Sequence, residues 1–465
     1  MRTHHTAHTQ RTLRRSLLSL AIGAGLLIAL PAWAADPSCL DSSGNPIPGG
    51  TNQGNENTNP GADNTTCSTT ASAFGEYNNA SGGASSAFGY WNRAWGEGSS
   101  AFGYNNSAGG PYSNAFGLQN LASAFNSNAF GAFNIASGVG SSAFGHYTRA
   151  LGNYSVAVGG WLDKDGDGSI NTTTETTRAT GTNAVAVGSG AQALANYASA
   201  FGVDSTASGV YSSAFGYFNS ASDDYSSAFG AYNTASGVNS SAFGTSNNAW
   251  GDFSSAVGYG NTASADSSAV GSNNTASGES SNAFGASNLA SGDYSSAFGY
   301  YNTASGDYSS AFGLYAEALG DSSVAVGGWL DKNGDGVIDA NETTKATGTN
   351  AVAVGSGAQA LADAASAFGV GSTASGVESS AFGAYNTASG DFSSAFGRDN
   401  TASGSRSSAF GFNNTASSLF SNAFGTFNTA SGNYSSAFVT TTLPRAWPAA
   451  RLVIAPKPRA TTVWR

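Results

Sequence analysis

Ala297-Phe298-Gly299-Tyr300-Tyr301-Asn302-Thr303-Ala304-Ser305-Gly306-Asp307-Tyr308-Ser309-Ser310 is one period of a repeat that fills most of this 465-residue chain. Ala-Phe-Gly returns every fourteen residues, at Phe74, Phe88, Phe102, Phe116, Phe130 and Phe144, after which Val158 takes the ring's place. The register breaks twice, resumes at Val187 and Val354, takes one thirteen-residue step from Val257 to Val270, and runs to Phe438. A short fixed period is the signature of stacked rungs, each too small to bury its apolar face without its neighbours.

Each period divides into two similar sevens, Ala-x-Gly followed by small polar residues or an aromatic. A sevenfold spacing also describes a coiled coil, but a Gly in nearly every half-repeat costs a helix roughly 1 kcal/mol each time. Two short strands and two tight turns fit instead, with rungs pairing in parallel at about 4.8 Å. Asn78, Asn92, Asn106, Asn120 and Asn134 recur four residues after the Phe. Asn tolerates a left-handed turn and can stack into an amide ladder, so both are expected of it here. Alternation along the strand puts each Phe on one face and its flanking Ala and Gly on the other. The expectation is that Phe lines the interior, leaving flat faces of Ala, Gly and Ser suited to packing against another copy.

Arg2, Arg11, Arg14 and Arg15 precede an apolar run from Leu17 to Leu30 and the small residues Ala32-Trp33-Ala34, which reads as a secretory signal over residues 1–34. Residues 35–70 form a leader rich in Gly, Asn, Thr and Pro, flanked by Cys39 and Cys67, which either close a disulfide loop or remain free thiols. Rungs are then expected over 71–160, 183–328 and 350–438, separated by inserts at 161–182 and 329–349. Residues 439–465 form a basic tail with Pro444, Pro448, Pro456 and Pro458, foreign to everything before it and expected to come from a frameshifted or truncated gene.

Four of the 17 basic residues lie in the signal and five beyond Phe438, leaving 8 against all 28 acids. So acidic a body argues against nucleic acid and against simple docking on anionic lipid. His146 is the one histidine outside the signal, so a histidine-based triad or a zinc site has no partners to draw on, and no enzyme is expected.

The inserts carry a different signal. Asp331-Lys332-Asn333-Gly334-Asp335-Gly336-Val337-Ile338-Asp339-Ala340-Asn341-Glu342 fits the twelve-residue calcium loop. Its ligands would be Asp331, Asn333, Asp335, the Val337 carbonyl, Asp339 and bidentate Glu342, with Gly336 at the turn. The other copy offers Asp163, Asp165, Asp167, Ser169 and Asn171, but Glu175 comes one position late. Either Glu175 bulges to reach Ca2+ or Thr174 substitutes weakly, and weaker binding is expected there. A polar Asp-Gly turn without metal is the competing reading. The segments 179–195 and 346–362 are identical, and Asp163 and Asp331 stand 168 residues apart, twelve periods of fourteen, so the chain contains a large duplication.

Asn350-Ala351-Val352-Ala353-Val354-Gly355-Ser356-Gly357-Ala358-Gln359-Ala360, repeated from Asn183 to Ala193, resembles the head repeat of YadA-like trimeric autotransporter adhesins. The resemblance covers about 71–438, with Phe in the branched-aliphatic position and Asn in one Ala position of the other rungs. It implies an all-β, left-handed parallel β-roll of fourteen-residue rungs, a homotrimer, a bacterial cell-surface or outer-membrane location, and attachment to host extracellular matrix, cells or other bacteria. The family's neck, coiled-coil stalk and outer-membrane anchor are not found in this sequence, so secretion is the alternative fate.

Aromatics recur three residues after the Phe, as at Tyr232, Tyr301 and Tyr385, and ten after it, as at Tyr225, Tyr294 and Tyr308. Such columns suit an extended partner held by many weak contacts, or simply stack to stabilise the turns. Two other functions fit less well. An ice-binding solenoid would want flat paired Thr columns, whereas Thr here follows Asn singly; a structural secreted solenoid without host adhesion is the related alternative. A polysaccharide-cleaving solenoid would need a carboxylate cluster in a cleft.

Overall fold

A computed structural model describes residues 64–438 except 69, and the backbone of 453–454. The signal, most of the leader including Cys39, and the rest of the tail lie outside the described residues. Cys67 is disulfide-bonded. The described residues fall into two units that meet in sequence between Asn219 and Ser220. Each is an all-β parallel solenoid with fourteen residues per turn.

One rung shows how the sequence makes this shape. Ser296–Tyr300 is a five-residue strand and Thr303–Ala304 a two-residue strand, and both pair in parallel with the same places one period on. Ser296 lies opposite Ser310, Phe298 opposite Phe312, and Thr303 opposite Glu317. Between the strands the chain turns twice, with Tyr301 (φ 54°) and Tyr308 (φ 59°) in the left-handed region. That conformation costs a side-chain-bearing residue roughly 1–2 kcal/mol. It is held by backbone N–H groups donated to the preceding rung, Tyr301 to the Ala286 carbonyl at 3.0 Å and Tyr308 to that of Asp293 at 2.7 Å.

The interior corrects the expectation for Phe. Ala297, Asn302, Ala304 and Ser309 are fully buried, and the same four columns run through the other uninterrupted rungs. Phe298 points outward from the same strand, and in places the column is openly exposed, as at Phe74, Phe144, Phe243 and Phe312. Alternation was the right rule applied to the wrong face. The space between a five-residue and a two-residue strand accepts Ala, Ser and Asn side chains and leaves no room for a ring. Outside, the rings stack on one another instead, Phe284 on Phe298 at 5.0 Å and Phe298 on Phe312 at 5.2 Å, nearly parallel. Gly299 lets adjacent rungs approach: it sits at φ 126°, and a Cβ there would lie 2.1 Å from the Gly313 carbonyl oxygen.

Asn takes only one of its two expected roles. The residue before it occupies the left-handed turn, and Asn itself enters the core as a ladder. Asn302 Nδ2 donates to Asn288 Oδ1 at 2.9 Å, to the Phe298 carbonyl at 2.9 Å and to the Gly313 carbonyl at 2.8 Å, while its backbone N–H also donates to Asn288 Oδ1 at 3.0 Å. A buried amide so fully satisfied avoids the desolvation penalty of about 1–3 kcal/mol per orphaned group. In the first unit the ladder runs from Asn64 to Asn134 and in the second from Asn233 to Asn302 and from Asn386 to Asn428.

The thirteen-residue step keeps the pairing, Ser255 opposite Ser268 and Val257 opposite Val270. The inserts also leave and re-enter in register, with Ala150 opposite Ala179 and Ala318 opposite Ala346. At their bases Thr replaces Asn: Thr177 Oγ1 donates to the Gly160 carbonyl at 2.7 Å, and Thr344 Oγ1 lies 2.7 Å from the carbonyls of both Gly328 and Gly355, with one proton to share between them. Val453–Ile454 pairs antiparallel with Ser436 and Ala437 of the last strand, a contact the tail's composition did not suggest.

Candidate calcium loops and aromatic columns

Both inserts wrap around their first acid. Asp163 Oδ1 accepts from the Gly166 N–H at 2.7 Å and Oδ2 from that of Gly168 at 3.1 Å. Asp331 accepts in the same way from Gly334 at 2.6 Å and Gly336 at 3.1 Å. Asp165 Oδ1 then accepts from the Asp167 N–H and Asp167 Oδ1 from that of Ser169, as Asn333 and Asp335 do from Asp335 and Val337.

The late glutamate reaches the same place. Glu175 Oε1 accepts from the Lys164 N–H at 3.2 Å and Glu342 Oε1 from that of Lys332 at 2.8 Å. The extra residue is absorbed just before it: the Glu175 N–H reaches back to Asn171, where that of Glu342 reaches Asp339. It is the Glu175 carboxylate that lies beside those of Asp163 and Asp165. Both glutamates are almost wholly buried, at 2% and 1% exposure, and neither pairs with a cation among the described residues. Burying a carboxylate is costly unless it is paired, hydrogen-bonded or metal-bound, and each glutamate accepts from two backbone N–H groups, Glu175 from Lys164 and Asn171 and Glu342 from Lys332 and Asp339.

In the first loop, carboxylate oxygens of Asp163, Asp165 and Glu175 lie within 4.8 Å of one another. In the second, Asn333 stands where Asp165 does, and its Nδ2 faces Asp335 at 3.0 Å and Asp339 at 3.3 Å. Lys332 Nζ donates to the Asn341 carbonyl. Burial holds that ammonium below its ordinary value, opposed by the charge of Glu342. Each insert docks on the next rung through a glutamine, Gln192 Nε2 donating to the carbonyls of Thr173 and Thr174 and Gln359 Nε2 to that of Ala340, and Lys164 pairs with Asp204.

Tyr232, Tyr301, Tyr385, Tyr225, Tyr294 and Tyr308 are all exposed, from 44% at Tyr301 to 62% at Tyr308. They fall into two columns at the two turns. Tyr301 stacks on Tyr315 at 5.1 Å and Tyr294 on Tyr308 at 5.0 Å, with planes 2° and 3° apart. Further along the second column, Arg406 sits between Phe392 and Phe420 at 5.1 and 5.4 Å from the ring centres. Sequence reading missed a third column, at the residue two after the Phe, where Tyr104, Tyr217, Tyr259 and Tyr300 are exposed. The period-two alternation of a strand was the available signal. Tyr300 packs edge-on against Tyr301 at 4.5 Å. Partial burial, then the charge of Tyr301, holds its phenol above the ordinary value. His146 is exposed and packs edge-on to Phe133 and Tyr147.

Parallel rungs of fourteen residues that carry apolar rings on the outside define a repeat β-solenoid. The YadA head domain repeat matches thirteen stretches between residues 80 and 421, among them 80–106, 179–205, 290–316 and 346–372, and the chain belongs to that family. The family is non-enzymatic, forms trimers and is of the exported, cell-surface adhesin type. No curated protein matches the chain.

Proposed function

We propose that this chain is the head of a bacterial surface adhesin that assembles as a homotrimer and attaches to host extracellular matrix, cells or other bacteria. The observation that carries the reading is the outward Phe column together with the exposed Tyr columns. A core of Ala, Ser and Asn buries little apolar surface, and a file of half-buried rings along one strand face supplies the rest when copies pack on it. The tyrosines at the turns stay available for a ligand, adding weak contacts rung by rung. Replacing Phe284, Phe298 and Phe312 together by Ser is expected to shift the full chain from trimer to monomer in light-scattering mass measurements. A separate variant with Tyr294, Tyr301 and Tyr308 changed to Ser is expected to keep the trimer and lose about tenfold in solid-phase binding to matrix proteins, roughly 1.4 kcal/mol. Unchanged mass in the first and unchanged binding in the second would refute the two halves of the proposal separately.

The inserts fit Ca2+ by their donor chemistry, all hard oxygens closing on a buried carboxylate. Asp163, Asp165, Asp167, Ser169, Asn171 and Glu175 would hold one ion and Asp331, Asn333, Asp335, Val337, Asp339 and Glu342 another. The ion would fix each insert on the solenoid. Isothermal titration is expected to show two calcium sites per chain, one lost in Glu175→Gln and the other in Glu342→Gln. Uptake that stays at two sites in both variants would rule this out.

A further inference from the structure

The two insert-bearing rungs are duplicates that differ in charge at one ladder position. In the second copy, Glu317 and Lys345 stand opposite each other in the short-strand ladder and pair at 2.8 Å, and Thr343 Oγ1 donates to Glu317 Oε1 at 2.9 Å. In the first copy the same places hold Arg149 and Arg178, again directly opposite. Like charges so placed destabilise a sheet. Both side chains are half-buried and both Nε atoms are buried with no hydrogen-bond partner. Among the described residues neither guanidinium forms an ion pair. Their neighbours along the ladder, Ile135 and Gln192, are uncharged, and Gln192 already donates its amide to the insert. Burial, and after it the charge of Arg178, hold Arg149 below its ordinary value.

A chain with 28 acids thus sets two of its few cations side by side, and among the described residues gives neither an acid. Guanidinium forks on successive rungs match the spread of oxygens on a tetrahedral oxyanion, which each fork can meet with two N–H groups. We propose that Arg149 and Arg178 form a binding site for one sulfate or phosphate group bridging the two rungs. The net acidity of the chain disfavours a polyanion, so the ligand is a single anionic group, either a free ion or an ester on a neutral sugar.

The test is thermal unfolding and calorimetric titration of the full chain with sodium sulfate, sodium phosphate and glucose 6-sulfate, against sodium chloride at equal ionic strength. A saturable response to the oxyanions and none to chloride is expected. A response to glucose 6-sulfate as strong as that to sulfate identifies an ester as the ligand, and a response to the inorganic ions alone identifies the free anion. Arg149→Gln is expected to weaken binding by about tenfold or more, the worth of a charge-assisted hydrogen bond. Arg149→Glu, which recreates the pairing of Glu317 with Lys345, is expected to abolish the response and melt higher. Absence of a saturable response in the unmodified chain, an equal response in both variants, or a change of oligomeric mass in Arg149→Gln would each overturn the assignment.

Discussion

Replacing Asn288 by Leu is expected to melt part of the second unit well below the rest. The substitution removes the donor to the Phe284 and Gly299 carbonyls and the acceptor for two N–H groups of Asn302, all in a fully buried column. Losing these four hydrogen bonds, with the Asn302 backbone N–H left without its acceptor, costs about 4 kcal/mol at roughly 1 kcal/mol each. In a stack of rungs each contacts only its neighbours, so the damage stays local and uncouples the melting transition. Calorimetry of the full chain would show a new low-temperature transition, and limited proteolysis would place cleavage near residues 274–302. A melting profile that matches the parent would mean that the amide ladder adds little.

Gly299→Ala is expected to be as damaging for a different reason. The position combines φ 126° with a neighbouring carbonyl oxygen 2.1 Å from where a Cβ would stand, and that oxygen belongs to backbone tied into the next rung. Neither chain can yield without breaking the pairing of Gly299 with Gly313, so a loss of about 3–5 kcal/mol is expected. Gly166→Ala provides the comparison: its φ is 72°, but nothing lies within 4 Å of the added Cβ. That change is expected to cost about 1 kcal/mol, the conformational penalty alone. Equal melting points for the two variants would show that the close approach of rungs is not what requires glycine.

The period, the parallel register and the amide ladder were legible because each is a local pattern repeated at fixed spacing. What alternation along a strand could not reveal was which face turns inward. The deciding clue lay in Ala297 and Ala304 taken together: both halves of the repeat keep Ala at that place, and only a space too narrow for anything larger demands this on both sides. Phe298 gives way to Val at other rungs because outside the core either side chain fits. Asn was expected to serve both the left-handed turn and the ladder, yet only the ladder claims Asn302, and Tyr301 bears the strain of the turn in its place. The candidate loop residues were named from their spacing alone. How Glu175 would recover its position was not, since that depended on one backbone hydrogen bond closing over four residues instead of three. Arg149 and Arg178 escaped notice because they are far apart in sequence and adjacent only once the insert between them is folded out.

The ladder's interruptions at Thr177 and Thr344 bear on how such a chain finds its place. Where every step presents the same Ala, Asn and Ser, a segment threaded one period too far still matches like with like and forfeits only a single step of contact. The two threonines and the inserts above them break that sameness. A threading slipped by one period across them would set an amide where it has no counterpart, which is expected to disfavour it.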